Sequence, residues 1–217
     1  MLSVANNVTN FKGIPVAEVK VKGVNSCYKL YKINKSDEKF LDKLYDSVDL
    51  KKLMPNLHEY DYINWDGILG EAIKEANFIG RNVYLETCDN KPCGIINFSQ
   101  SKLNSYYLNY ITTFPTEPKK RVPCAGQILL NQLFRTVLNS CRQGIDLSAL
   151  REAPFSPITI YSKLGFKFRG GDNWTEDMSI GRLGIKNALE KQKEFLEVTP
   201  LKNQENKNLF KIIDLNI

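Results

Sequence analysis

Apolar positions recur along the chain with two periods, and the switches between them delimit the elements. CYKLYKI (27–33) alternates at period two and predicts a strand. Ser36 then offers an N-cap, with Asp37 and Glu38 in the first turn of a helix whose apolar residues (Phe40, Leu41, Leu44, Tyr45, Val48) fall at helical spacing. A second helix is predicted from Asp66 through Ile68, Leu69, Ala72, Ile73 and Ala76, closed by Gly80. NVYLETC and CGIINFSQ flank the turn-forming DNKP and read as a hairpin, and the aromatic and β-branched run YYLNYITTF (106–114) extends the sheet.

The firmest helix is QILLNQLFRTVLNSCRQG. Leu129, Leu130, Leu133, Phe134, Val137, Leu138 and Cys141 share one broad face, and Gly144 stands just past its end. IDLSAL (145–150) is a strand candidate. Ser156–Pro157 supplies an N-cap and a preset φ for a brief helix closed by Gly165. Residues 166–168 and 175–180 pair across Gly170–Asn173, and a helix over 185–196 precedes a polar tail. The first 24 residues lack sustained periodicity apart from AEVKVKG and are expected to be disordered or an edge strand. Strand, two helices and three consecutive strands open an α+β fold.

At 217 residues and 42% hydrophobic content, the chain supports one sizeable domain with tails. Five scattered cysteines without a C-x-x-C pair, and a single histidine, His58, point to a reducing, intracellular compartment and no zinc site. No run approaches the roughly 18 apolar residues of a membrane span, and the N-terminus has no secretory signature. A soluble cytoplasmic protein is therefore expected. The net charge of +6 favours anionic partners without choosing among them.

The positive charge is densest at PKKRVPCAGQ (118–127), between the third strand of the run and the firmest helix. A solvated patch, a nuclear address, a nucleic-acid contact and a phosphate-binding loop all fit such a cluster. Its setting favours the last, because the first N–H groups of a helix lack internal partners and the helix dipole places partial positive charge there. Nucleic acid fits less well, since the cations are interleaved with prolines instead of aromatics.

R-V-P-C-A-G (121–126) followed by Q-I-L-L resembles the Q/R-x-x-G-x-G/A motif of the GNAT superfamily of acyl-CoA-dependent N-acyltransferases, where it holds the coenzyme A pyrophosphate. I-Y-S-K-L-G-F (160–166) is similar to the family's Y-x-K-L-G-F segment at the expected distance downstream. The resemblance implies a mixed, mostly antiparallel sheet flanked by helices over residues 25–182, with a C-terminal helix and tail over 183–217. It also implies acetyl-CoA as cosubstrate, an amine acceptor, no metal and no membrane, and a monomer or homodimer. Cys124 stands where the motif has its first glycine, a replacement tolerated where φ is negative.

By the same resemblance Arg121, Val122, Cys124, Ala125, Gly126 and Gln127 border the pyrophosphate, with Lys119 and Lys120 auxiliary. Ile111, Thr112 and Thr113 contribute backbone contacts along the pantetheine arm, near a bulge whose N–H polarises the thioester. Tyr161 matches the family's general acid. A phenol of pKa near 10 stays protonated at neutral pH and donates to a departing thiolate, although by residue type alone packing is the commoner role. The sequence identifies no general base: Glu86 on the hairpin is preferred over Glu117 or a water relay, against the bland reading of a solvated strand glutamate. A GNAT-like module that binds coenzyme A or a protein partner without catalysis is the alternative.

Overall fold

The computed structural model describes residues 9–48, 59–74, 80–114, 120–151, 157–201 and 211–213. His58, Glu117, Lys119 and Ser156 lie outside them. The elements in chain order are β1 (Thr9–Phe11), β2 (Ile14–Val21), β3 (Tyr28–Lys32), α1 (Glu38–Ser47), α2 (Glu59–Lys74), β4 (Arg81–Cys88), β5 (Lys91–Gln100) and β6 (Tyr106–Thr113). They continue with α3 (Ala125–Leu138), β7 (Gly144–Leu150), α4 (Pro157–Lys163), β8 (Lys167–Gly171), β9 (Thr175–Gly181), α5 (Arg182–Gln192), β10 (Leu196–Pro200) and β11 (Lys211–Ile213). Nine strands form one sheet in the order β10-β2-β3-β4-β5-β6-β7-β9-β8, and β1 pairs separately with β11. Every neighbouring pair in the large sheet is antiparallel except β6 and β7. This is the mixed, mostly antiparallel α+β architecture expected.

The β4–β5 hairpin forms because Asp89 and Asn90 both adopt positive φ (49° and 65°), the conformation that a two-residue turn matched to strand twist requires. Alternation along the strands then builds two cores, one on each face. Tyr28, Leu30, Tyr84, Phe98, Leu108, Leu147 and Met178 pack under α3 and α5. Tyr31, Ile33, Val83, Leu85 and Ile95 pack under α1 and α2. No helix among the described residues is long and apolar enough to cross a membrane.

Several boundaries differ from expectation. β2 is neither disordered nor an edge strand: it pairs with β3 on one side and β10 on the other, and Ala17, Val19 and Val21 are buried. The short AEVKVKG alternation is what a strand with one covered face shows. The C-terminal segment is equally integral, because α5 stops at Gln192 and Leu196 opens β10 instead of ending a helix. α2 begins at Glu59, so Asp66 lies inside it and accepts a hydrogen bond from the Tyr45 hydroxyl at 2.9 Å. Ser36 is not the cap of α1: it lies in a 3-10 turn (Lys35–Asp37) capped by Asn34, whose side chain accepts from Ser36 N (3.0 Å) while Asp37, at the cap position of α1, accepts from Asn34 N (3.1 Å). α3 ends at Leu138, leaving Cys141 exposed and Gly144 as the first residue of β7.

Candidate functional site

β6 and β7 run parallel but pair only at Tyr106↔Ile145 and Tyr107↔Asp146. Beyond those pairs the sheet opens. On the β5 side of β6, Asn97 faces Tyr110 while Phe98 faces Leu108, so Asn109 is an extra, bulged residue at the opening. Its side-chain amide donates to Ser99 Oγ (3.1 Å) and to the Tyr107 carbonyl (3.4 Å), which ties the bulge to the flanking backbone.

A cavity of about 660 Å³ occupies this opening. Residues 108–113 form one wall, Leu147–Leu150 another, and the segment from Arg121 to Gln127 a third, with Ile68 of α2 and Ile160 and Tyr161 of α4 closing it. The structure therefore gathers Ile111, Thr112, Thr113, Arg121, Val122, Cys124, Ala125, Gly126, Gln127 and Tyr161 around one space, from three separate stretches of chain.

The N-terminus of α3 opens on this space. Its first intrahelical bond is Ile128 N to Cys124 O (2.9 Å), so the N–H groups of residues 125–127 lack intrahelical acceptors, and the Cys124 side chain does not cap them. Cys124 has φ +61°, contrary to the negative φ under which the replacement of glycine is unstrained. The position keeps the left-handed backbone suited to glycine, and cysteine bears a cost of roughly 1–2 kcal/mol for it. Arg121 is exposed at the cavity rim.

Tyr161 is held by α4, which begins at Pro157 and ends in a turn closed by Gly165 at φ +97°. Its ring packs against Phe166 with centroids 5.4 Å apart, and the residue is 8% exposed. Burial pushes the phenol well above its ordinary pKa. It thus both packs and borders the cavity.

Glu86 does not border the cavity. Leu30 and Gly94 flank it across the sheet, on the α3 side, and it is 0% exposed. Neither carboxyl oxygen has a hydrogen bond of good geometry; a contact with the Cys93 thiol gives slight compensation. Desolvation pushes its pKa well above the ordinary carboxylate range, which favours the neutral acid. Both readings of Glu86, solvated glutamate and accessible base, are corrected by this burial. Among the described residues no carboxylate or imidazole lines the cavity, and no three metal-binding side chains converge.

Sequence reasoning missed Asn109, Tyr110 and Ser148 on the walls. A single bulge residue leaves no periodicity signal in so short a strand, and Ser148 looks like any solvent-facing strand position.

No protein-family model matches the chain, and no curated protein matches it. Solved structures do. PaiA N-acetyltransferase from Thermoplasma acidophilum, in complex with coenzyme A, superposes with a TM-score of 0.52 at 15% identity, covering 71% of this chain and 98% of that one. Apo FdhC, a nucleotide-linked sugar GNAT, gives 0.54 at 10% identity over 87% of this chain and 100% of its own. Aminoglycoside 6′-acetyltransferase type Ii gives 0.51 at 19% identity over 70% and 96%. The chain, with its parted β6 and β7, the bulge at the opening and a bare helix N-terminus beside it, shares the fold of these GNAT structures. At these identities the likeness is one of fold.

Proposed function

We propose that the protein is an acetyl-CoA-dependent N-acetyltransferase that moves the acetyl group to a primary amine by direct attack in a ternary complex. The observation that carries this reading is the cavity at the parting of β6 and β7, with the uncapped end of α3 opening on one side of it. The free N–H groups of residues 125–127, with Arg121 at the rim, suit a pyrophosphate. Ile111–Thr113 pair with β5 but not with β7, so that side of their backbone faces the space a pantetheine arm needs, and the bulge at Asn109 would turn an N–H toward the thioester carbonyl. Tyr161 is the donor to the departing thiolate, kept protonated by its burial. Lys120 is auxiliary to the coenzyme phosphates.

Acetyl-CoA at about 100 times its dissociation constant adds roughly 2.7 kcal/mol to native-state stability. A thermal-shift titration therefore tests binding, and no shift at millimolar acetyl-CoA overturns the proposal. Thiol release with a panel of amines then tests catalysis, with Tyr161→Phe expected to lower kcat about 100-fold. The absence of a carboxylate or imidazole from the described lining favours one competing reading, a coenzyme-binding module without turnover. Binding without thiol release selects it.

A further inference from the structure

An attacking amine must lose a proton, and among the described residues the cavity wall presents no carboxylate or imidazole. The route out of it is a hydrogen-bonded chain across three strands on the face opposite α3. Along β7, Ile145, Leu147 and Ala149 point into the α3-side core, so Asp146, Ser148 and Leu150 point the other way. Ser148 thus faces the side of the opening that α2 borders through Ile68, away from the phosphate end. That is the side left for an acceptor. The Tyr107 hydroxyl donates to Ser148 Oγ at 2.9 Å, bridging β6 and β7 just as they part, and Ser148 Oγ donates to Asp177 Oδ1 of β9 at 2.5 Å.

We propose that Ser148 and Asp177 form the proton exit for the acceptor amine, with Ser148 touching substrate and Asp177 acting through it; this rests on the acetyltransferase reading above. Ser148 Oγ spends its hydrogen on Asp177 and one lone pair on Tyr107, which leaves a second lone pair for an ammonium N–H. In the transfer the substrate N–H bond breaks and an O–H bond forms on Ser148, while the original Ser148 proton passes to the Asp177 carboxylate. The amine keeps the electron pair with which it attacks, and Asp177 ends neutral. The charged groups sharing this face are Asp146, held by the Ser105 hydroxyl; Lys167, opposite Ser179; and Arg169, whose Nε donates to Ser179 Oγ at 2.6 Å. Glu71 of α2, bound by the Tyr110 hydroxyl, is the other carboxylate next to the wall.

The test is the pH profile of kcat/KM for acetyl-CoA with whichever of spermidine, kanamycin, benzylamine and lysine turns over. Wild type, Asp177→Asn, Ser148→Ala and Glu71→Gln are compared, with melting temperature and acetyl-CoA Kd measured on each. Asp177→Asn and Ser148→Ala are expected to lose about 100-fold at pH 7 with unchanged coenzyme Kd. The deficit should close as pH approaches the amine's own pKa, near 10, where solvent supplies free amine. A loss equal at every pH, full activity in both variants, or a pH-dependent loss in Glu71→Gln alone overturns the relay. Wild type that binds coenzyme but acetylates none of the amines overturns the acetyltransferase reading, and this inference with it.

Discussion

The two ends of α3 are built in opposite ways. At its C-terminus Arg182 Nη1 donates to the carbonyls of Val137, Ser140 and Arg142 at 2.8–3.0 Å, and Nη2 donates to that of Leu138 at 3.0 Å. A cation thereby answers both the orphan carbonyls and the negative end of the dipole. At the N-terminus no side chain of the cap residue accepts from the first amides, and the cap is a cysteine at φ +61°. One end is closed for stability. The other is left open, under strain, where the cavity is.

Breaking the closed end should have the largest effect. Arg182→Ala strands several carbonyls and is expected to cost about 3 kcal/mol in urea denaturation, with acetyl-CoA Kd unchanged. A stable variant with weakened coenzyme binding would erase the contrast between the ends. At the open end, Arg121→Ala tests the proposed pyrophosphate contact: a charge-assisted bond is worth about 1.5–3 kcal/mol, so calorimetry should find acetyl-CoA bound about 10–100-fold more weakly.

Glu86 gives a pH-dependent effect. Its folded-state pKa is raised, so the native chain binds the proton more tightly than the unfolded one. The associated stability is complete below the ordinary glutamate value, near 4.3, and is lost as pH rises from there to the folded-state pKa, by up to about 1.4 kcal/mol per unit. Glu86→Gln should therefore gain on wild type in melting temperature between pH 5 and pH 8, and a constant difference would contradict the buried neutral acid. Smallest is Cys124→Gly, expected to add about 1 kcal/mol by releasing the left-handed strain, or about 2–4 °C in melting temperature. A loss would show that the thiol's packing outweighs the backbone cost.

Much of this fold was legible in short-range pattern. The α3 face, the hairpin around Asp89–Asn90 and the Gly165 stop follow from periodicity and turn chemistry acting over a few residues. Misplaced boundaries share a different cause. AEVKVKG is a strand because β3 and β10 flank it, and LEVTP is a strand because β2 offers it an edge. Such pairing is long-range and leaves only a few alternating positions in the sequence. Arg182 likewise reads as one more cation until the chain folds back to set it against α3.

At the site the division is similar. The R-V-P-C-A-G and I-Y-S-K-L-G-F segments pointed to Arg121 to Gln127 and to Tyr161, which the structure places on one cavity, because a loop and the helix it opens are local structures. Glu86 was misread, since burial of a strand residue depends on what packs over it and not on its own neighbours. The chain's local chemistry set the class of fold, the strand–loop–helix junction beside the cavity and the buried face of each helix. Tertiary structure alone decided where β6 and β7 part, that Asn109 bulges, that Cys124 is left-handed, and that Ser148 meets Tyr107 and Asp177 across three strands. Those features depend on register and contact between segments tens of residues apart, which no local pattern of residues encodes.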